Sequence, residues 1–461
     1  MTLDEYILSV KDKKIAVIGA GVSNTPLIER LLAAGCSVTV CDKRTAEQME
    51  GEAERLRSLG AELKLGEDYL EDLGQDLIFR TPGLMPFDPH LAAAAARGAV
   101  VTSEMELFFR LCPCRIIAVT GSDGKTTTTT IISELLKKEG LRVHLGGNIG
   151  HPLLCETPDI RPEDFAVLEL SSFQLHSMVC RPNVAVITNL TPNHLDKHRD
   201  FQDYIDAKRA ICEHQEPGDR LILNQNDDHT PYYASFAKSR LAFFSDKEPV
   251  ENGACLIEGV LCRVRDGKAV PVVRADEIRI PGEHNVQNYL AAFAATDGLV
   301  SEESCRAVAR SFAGVEHRLE LVRVRRGVSY INDSIASSPT RTIAGLRAMK
   351  TKPIVIAGGY DKHIPFAPLG DELCLRAKRV ILCGDTADKI REAVLSSENY
   401  RPGLLPIDQR GDFRQAVLLA AELAEDGDIV LLSPACAAFD RFRNFAERGR
   451  RFKQIVMELP E

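Results

Sequence analysis

The segment Val119-Thr120-Gly121-Ser122-Asp123-Gly124-Lys125-Thr126-Thr127 constrains this chain more than any other. It follows the apolar run Ile116-Ile117-Ala118-Val119 and precedes a helical pattern from Thr129 to Glu139. Strand, glycine loop, Gly-Lys-Thr and helix, in that order, is the layout of a phosphate-binding loop. Backbone N–H groups and the helix N-terminus point at the anion. The lysine neutralises terminal phosphates, and the threonine after it can hold Mg²⁺. The spacing departs from the common pattern: Gly121 and Gly124 lie close together, and Val119 stands where the first glycine is expected. A glycine turn that precedes a lysine by chance would need neither the strand before it nor the helix after it. We therefore assign Gly121, Ser122, Asp123, Gly124, Lys125, Thr126 and Thr127 to phosphate binding.

β and α patterns alternate from end to end, which predicts parallel sheets covered by helices. With 461 residues the chain is too long for one core. Three blocks separate: residues 1–112, 113–314 and 315–461. The first opens with a strand Lys14 to Ile18, a glycine turn, a helix to about Ala34 and a strand Ser37 to Cys41. The second carries the phosphate loop. The third holds strands at Val328 to Asn332, Pro353 to Ala357, Val380 to Cys383 and Ile429 to Leu432. A net charge of -9 argues against a general nucleic-acid-binding surface. No apolar run reaches bilayer length, and the mixed, charged start is not a secretory signal. The 13 cysteines are scattered, which reads as buried free thiols in a reducing cytoplasm. Cys112-Pro113-Cys114 is the one close pair, too tightly spaced for the common zinc patterns.

In the first block Gly19-Ala20-Gly21-Val22-Ser23-Asn24, followed by Asp42, has the form of a dinucleotide fingerprint, with Asn24 in place of the third glycine. A tight βα turn needs glycine whether or not a ligand binds. Asp42 nevertheless lies at the usual distance for a ribose contact, and Lys43 and Arg44 follow it. Thr81-Pro82-Gly83 closes another strand, Asp76 to Phe79.

In the second block three strands end in polar groups. One leads to Lys125, one to Glu169, Ser171 and Ser172, and one through Asn189 to His194 and Asp196. Ligands of open α/β sheets sit beyond the carboxyl ends of the strands, so these groups should converge on the phosphates. Glu169 is a candidate Mg²⁺ ligand. A histidine such as His194, taken alone, is more often structural, but its position beyond a strand end makes a functional role equally ready. The segment Phe201 to His214 reads as a helix whose stripe Phe201, Ile205, Lys208, Cys212 includes a lysine. Spacing alone favours a Lys208 that carries its charge out to water. A buried, neutral Lys208 amine could instead take up CO₂ as a carbamate and bind metal. No Ser-His-Asp arrangement is evident.

Together these residues resemble the Mur ligases, the ATP-dependent amide-forming enzymes of peptidoglycan precursor synthesis. Their loop is similar to Gly121 through Thr126, with Asn more usual where Asp123 stands. The stretch Leu432-Ser433-Pro434-Ala435-Cys436-Ala437, then Asp440, Asn444-Phe445 and Glu447-Arg448-Gly449, resembles the members that add D-glutamate to UDP-N-acetylmuramoyl-L-alanine. The resemblance implies an ATP-dependent acid–amino-acid ligase with three α/β domains: Rossmann-like for the UDP-sugar, P-loop ATPase-like for ATP, and Rossmann-like for the amino acid. It implies an acyl phosphate intermediate and closure of the domains on substrate. It also implies ATP, two Mg²⁺ ions, a carbamylated lysine at Lys208, and a monomeric cytoplasmic enzyme. Another Mur-type or folylpolyglutamate-type ligase, with a different amino acid or acceptor, is the alternative.

Position by position, Ser23, Asp42, Lys43, Arg44, Thr81 and Gly83 match the UDP group's surroundings. Gly147, Asn148 and Ser171 match contacts to the sugar-nucleotide substrate. Lys125 and Thr126 match the γ-phosphate and Mg²⁺ positions, and Glu169 matches a metal ligand. His194 and Lys208 match the second metal site, which overturns the solvent-facing reading of Lys208. Asn285, Asn288, Arg318 and Asp333 match positions around adenine, ribose and phosphate. Lys362, Phe439 and Phe445 match the amino-acid pocket. Two departures fall in that last region: Ile335 stands where the family has lysine, and Ala438 where it often has serine.

Overall fold

Four-residue runs such as Ile15-Ala16-Val17-Ile18 and Ile354-Val355-Ile356-Ala357 are apolar on both faces, so they fit only strands covered on both sides. The computed structural model, which describes residues 1–49, 51–191, 197–280, 282–361 and 364–460, builds three sheets from such runs. The α/β class expected from the sequence is what it contains, in three sheets that are largely parallel.

The first sheet is parallel throughout, with β1 (Lys14–Ile18), β2 (Ser37–Asp42), β3 (Glu62–Leu65), β4 (Leu77–Phe79) and β5 (Val100–Thr102) in the order β3-β2-β1-β4-β5. Strand order reverses at β1, which opens a crevice at its carboxyl end. Gly19 lies there, and a Cβ on it would meet the Thr81 Cβ at 3.2 Å.

The second sheet holds β6 (Arg115–Thr120), β7 (Val143–Gly147), β8 (Phe165–Glu169), β9 (Val184–Ile187), β10 (Arg220–Asn224), β11 (Arg240–Ser245), β12 (Gly253–Ile257), β13 (Val260–Arg265) and β14 (Lys268–Arg274), in the order β14-β13-β12-β11-β10-β9-β6-β8-β7. The phosphate-loop strand β6 lies between β8 and β9. The third sheet holds β15 (Glu320–Arg325), β16 (Val328–Asn332), β17 (Ile354–Ala357), β18 (Arg379–Leu382), β19 (Ile407–Gln409) and β20 (Ile429–Leu432), in the order β15-β16-β20-β17-β18-β19.

The unbroken βα alternation expected from the sequence fails at three hairpins: β12–β13, β13–β14 and β15–β16 are antiparallel. Each turns on a residue followed by glycine: Glu258-Gly259, Asp266-Gly267 and Arg326-Gly327, all with positive φ. Two successive left-handed residues make the mirror-image turn whose twist matches that of the flanking strands.

The chain forms two compact units. One comprises residues 1–279 with 283–312, and the other 280–282 with 313–461. The first unit therefore contains the first two sheets, and the second unit contains the third. No helix among the described residues is long and apolar enough to cross a membrane.

One carboxyl in the first unit is buried with no ion-pair partner among the described residues. Ser103 caps the helix Glu104–Leu111, and its first residue, Glu104, is 5% exposed. Glu104 Oε1 accepts from the Leu154 N–H at 3.2 Å. Burial pushes this carboxyl up from 4.5 to about 7. A raised folded-state pKa means that the protonated form favours folding. The stability it confers is complete below pH 4.5 and is lost as pH rises through about 7. Glu104→Gln keeps the acceptor and removes the ionisation. Relative to wild type it should gain stability between pH 5 and 8, on the order of 3 kcal/mol. Chemical denaturation of both proteins at those two pH values checks this; an equal difference at both would sink it.

Candidate active site

The phosphate loop owes its shape to the ends of neighbouring strands. Gly121 has φ +142°, and a Cβ there would lie 1.9 Å from Thr188 Oγ1. Gly124 has φ +76°, and a Cβ there would lie 2.3 Å from Asn288 Oδ1. Just past β9, the Thr188 hydroxyl donates to Asp123 O at 2.6 Å. Asn189 accepts from the Ser122 N–H through its carbonyl (2.8 Å) and from the Asp123 N–H through its side chain (2.9 Å). Thr188 and Asn189 thus shape the cradle, a role the sequence did not reveal. Asn288 is tied to Asn285 at 3.0 Å and to the Thr128 hydroxyl at 3.2 Å, which sets the helix carrying both asparagines against the loop. Gly124→Ala should lower kcat/KM for ATP by roughly tenfold to a hundredfold through backbone strain and displacement of Asn288. Steady-state phosphate release checks this, and wild-type kinetics in the variant would contradict it.

The helix that follows begins at Lys125 rather than at Thr129. Its threonines fit because Thr129 and Thr130 turn their hydroxyls back onto Lys125 O and Thr126 O, each at 2.8 Å. Thr127 is buried and the Asp123 side chain is exposed. The Lys125 ammonium donates to Ser122 O at 2.8 Å.

Glu169, at the end of β8, is 2% exposed and sits beside the loop. Its carboxylate accepts from the Thr126 hydroxyl at 2.6 Å and from the Asn148 amide at 2.8 Å. Gly147 brings β7 against β8 here, since a Cβ at its φ of +94° would lie 2.2 Å from Glu169 O. Ser171 caps the short helix Ser172–Leu175. A carboxylate with a hydroxyl beside it is a hard oxygen donor set of the kind Mg²⁺ takes.

Lys208 lies at the floor of the same loop. Its helix, Phe201–Glu213, is capped by Asp200, and Ile205, Lys208 and Cys212 are all buried. The amine, 1% exposed, donates to Gly121 O at 2.9 Å and Thr120 Oγ1 at 3.3 Å, and lies 4.5 Å over the Tyr204 ring. The Tyr204 hydroxyl in turn meets Ser122 Oγ at 2.9 Å. Burial, reinforced by the charge of Lys125, holds the Lys208 amine well below the usual lysine range, against a smaller opposing pull from Glu169. A neutral amine is the form that combines with CO₂, so the environment fits a carbamate. His194 lies outside the described residues.

The structure corrects the sequence on one triad. Ser172, His198 and Asp203 form a hydrogen-bonded chain, with Ser172 Oγ to His198 Nε2 at 2.9 Å and His198 Nδ1 to Asp203 Oδ2 at 3.0 Å. The members come from separate loops and helices, so sequence spacing does not reveal the contact. All three are buried. Burial works to raise the Asp203 pKa, but hydrogen bonds from Arg199, His198 and His176 hold it well below the usual carboxylate range. The chain ties the segment after β8 to the helix that carries Lys208.

In the first sheet, Asn24 explains the missing third glycine. It is 3% exposed, and its amide donates to Ile18 O at 3.0 Å and Gly19 O at 3.1 Å, which closes the turn. Asp42 is already engaged: it accepts from the Ala20 N–H at 2.9 Å and from the Arg44 backbone and guanidinium at 2.8 to 3.0 Å. Burial works to raise its pKa, but these bonds hold it below the usual range. Ser23, Lys43 and Gly83 are exposed near the turn. Arg80, which the sequence did not single out, is 2% exposed and donates to Leu84 O, Phe173 O and Ser177 Oγ. It links the first sheet's loops to the segment after Ser171.

In the second unit, Asp333 is buried beyond β16. It accepts from Ser433 Oγ at 2.8 Å and the Leu319 N–H at 3.3 Å, and burial pushes it up to about 7. Arg318 is half-buried on the turn before β15. Phe439 and Phe445 are exposed, Phe439 edge-on to Tyr360 at 5.8 Å. Arg448, which the sequence placed only within a motif, is 2% exposed and organises this region. It donates to Ala437 O, Cys436 O, Ser334 O and Ser334 Oγ. Ile335 is half-buried and Ala438 is buried. Lys362 lies outside the described residues.

Residues 119–296 match the Mur ligase middle domain, and residues 317–436 match the Mur ligase glutamate ligase domain. The chain is 49% identical to a UDP-N-acetylmuramoylalanine--D-glutamate ligase of Acetivibrio thermocellus and 47% identical to one of Clostridium novyi, in each case across 99% of both chains. Among solved structures, a UDP-N-acetylmuramate-alanine ligase of Thermotoga maritima aligns with a TM-score of 0.58 at 18% identity, over 96% of this chain and 99% of that one. The MurF ligase of Thermotoga maritima in complex with ADP aligns with a TM-score of 0.54 at 18% identity, over 98% and 97%. Full-length identity near one half leaves no room for another assignment: the chain belongs to the Mur ligase family.

Proposed function

We propose that this chain joins D-glutamate to UDP-N-acetylmuramoyl-L-alanine, with ATP, in the cytoplasm and as a monomer. The observation that carries the reading is the group of Lys125, Thr126, Glu169 and a buried, charge-poor Lys208 around one phosphate loop. A carboxylate is a poor acyl donor, so it must first gain a leaving group. The substrate carboxylate attacks the γ-phosphorus of ATP and ADP departs, leaving an acyl phosphate. The amine of D-glutamate, giving up a proton to a base for which His194 and the Lys208 carbamate are the candidates, then attacks the acyl carbon, and inorganic phosphate leaves.

Gly121, Ser122, Asp123, Gly124 and Thr127 present the loop to the phosphates, and Lys125 offsets their charge. Thr126 and Glu169 would hold one Mg²⁺; Lys208 as its carbamate, with His194, would hold another. When bound, such ions neutralise crowded phosphate and carboxylate oxygens. Ser23, Asp42, Lys43, Arg44, Thr81 and Gly83 face the UDP group. Gly147, Asn148 and Ser171 orient the sugar-linked acyl end. Asn285 and Asn288, and in the second unit Arg318 and Asp333, serve the nucleotide. Lys362, Phe439 and Phe445 serve the amino acid, and Arg448 holds the segment Cys436-Ala437 that precedes Phe439.

Purified protein given UDP-N-acetylmuramoyl-L-alanine, ATP and single amino acids should release phosphate with D-glutamate. Release only with another amino acid, or only with a folate acceptor, would replace this reading with that of another ligase of the family.

A further inference from the structure

Cys112 and Cys114 are unused by the chemistry above, yet they are built as a pair. Cys112 closes the helix Glu104–Leu111, its N–H donating to Phe108 O at 2.8 Å. Cys114 directly precedes β6, the strand that ends in the phosphate loop, and Ile116 is anchored there by Asn183 Oδ1 at 2.8 Å. Between them Pro113 restricts the backbone, and the two sulfurs lie 3.5 Å apart. Cys112 is partly exposed and Cys114 is buried. We propose that Cys112 and Cys114 are a thiol-modification site, in which a peroxide attacked by Cys112 converts the pair into a reversible disulfide.

The chemistry balances. The Cys112 thiolate attacks one peroxide oxygen, the O–O bond breaks, and hydroxide leaves with its electron pair. The Cys114 sulfur then attacks the sulfenic sulfur; the S–S bond forms, the S–O bond breaks, and water carries off the Cys114 proton. Electrostatics favour this order. Either thiol can donate in the 3.5 Å contact between the sulfurs; with Cys112 as the thiolate, the Cys114 S–H donates to it, which works to lower Cys112 and raise Cys114. Cys112 is the sulfur that a peroxide in solution can reach, and the buried Cys114 is placed beside it to resolve the sulfenic acid. Two other cysteines, Cys155 and Cys374, are also partly exposed, but burial raises both, Cys155 to about 11.

Alkylation of the native full-length protein with iodoacetamide at pH 7, read by peptide mass spectrometry, tests the proposal. Cys112 should react about tenfold or more faster than Cys155 or Cys374. Stoichiometric hydrogen peroxide should protect Cys112 and Cys114 together, in a peptide lighter by two hydrogens, and dithiothreitol should restore both. In Cys114→Ser, peroxide should leave a Cys112 sulfenic acid that dimedone captures. In Cys112→Ser, Cys114 alkylation should be unchanged by peroxide. The proposal is overturned if Cys112 reacts no faster than the other two. It is equally overturned if wild type accumulates dimedone-reactive sulfenic acid with no disulfide. None of these readouts uses turnover, so they stand apart from the ligase reading.

Discussion

Lys208→Ala should abolish amide formation, lowering kcat by about a thousandfold or more, and bicarbonate or a short carboxylate such as formate should restore part of it. The expectation follows from placement. The amine is buried, within 3.3 Å of Thr120 and Gly121, and its ammonium form is penalised by burial and by Lys125. The proposed carbamate makes this position an anion, and a small carboxylate diffusing into the space left by alanine would supply one in its place. ¹³CO₂ labelling gives an independent readout: a carbamate carbon signal should be present in wild type and absent in Lys208→Ala. Undiminished turnover in the alanine variant would remove the carbamate from the mechanism, and a loss that no carboxylate rescues would reduce Lys208 to a structural role.

Lys125→Ala should lower ATP turnover by about a hundredfold to a thousandfold, because one fixed cation is lost where charge accumulates. It should also move the carbamate. Lys125 is one of the two causes that depress the Lys208 amine. Removing it raises the Lys208 pKa, so the neutral amine appears only at higher pH. The ¹³C carbamate signal should therefore emerge at higher pH in Lys125→Ala than in wild type. A signal at the same pH would show that the two lysines do not sense one another. Unchanged ATP turnover would remove the loop from the reaction.

Much of this site is legible in the residues because the chemistry imposes local patterns. The phosphate loop is contiguous, and its glycines are required by left-handed backbone and by close approach of Thr188 and Asn288. Glu169 ends an apolar strand, and strand ends are where ligands meet an open sheet. The groups that support the site were not legible. Thr188 and Asn189 shape the loop from another strand, Arg80 reaches across to Phe173 and Ser177, and Arg448 holds four acceptors near the chain's end. Each acts through hydrogen bonds to backbone groups or hydroxyls of other segments, and such partners leave no periodicity or spacing. The three antiparallel hairpins were missed for a different reason. Their signal is a two-residue turn, short beside the βα alternation around it.

What the sequence determined by itself was the α/β class, the glycine loop between β6 and the helix Lys125–Lys138, and the residue types at the neighbouring strand ends. These depend on runs of apolar residues and on glycine at fixed offsets, both local properties. Only the tertiary structure decided the burial that depresses the Lys208 amine, the engagement of Asp42 by Arg44, and the joining of Ser172, His198 and Asp203. Those outcomes depend on burial and on which groups lie within about 3 Å, and neither distance nor solvent exclusion exists until separate strands and helices are packed together.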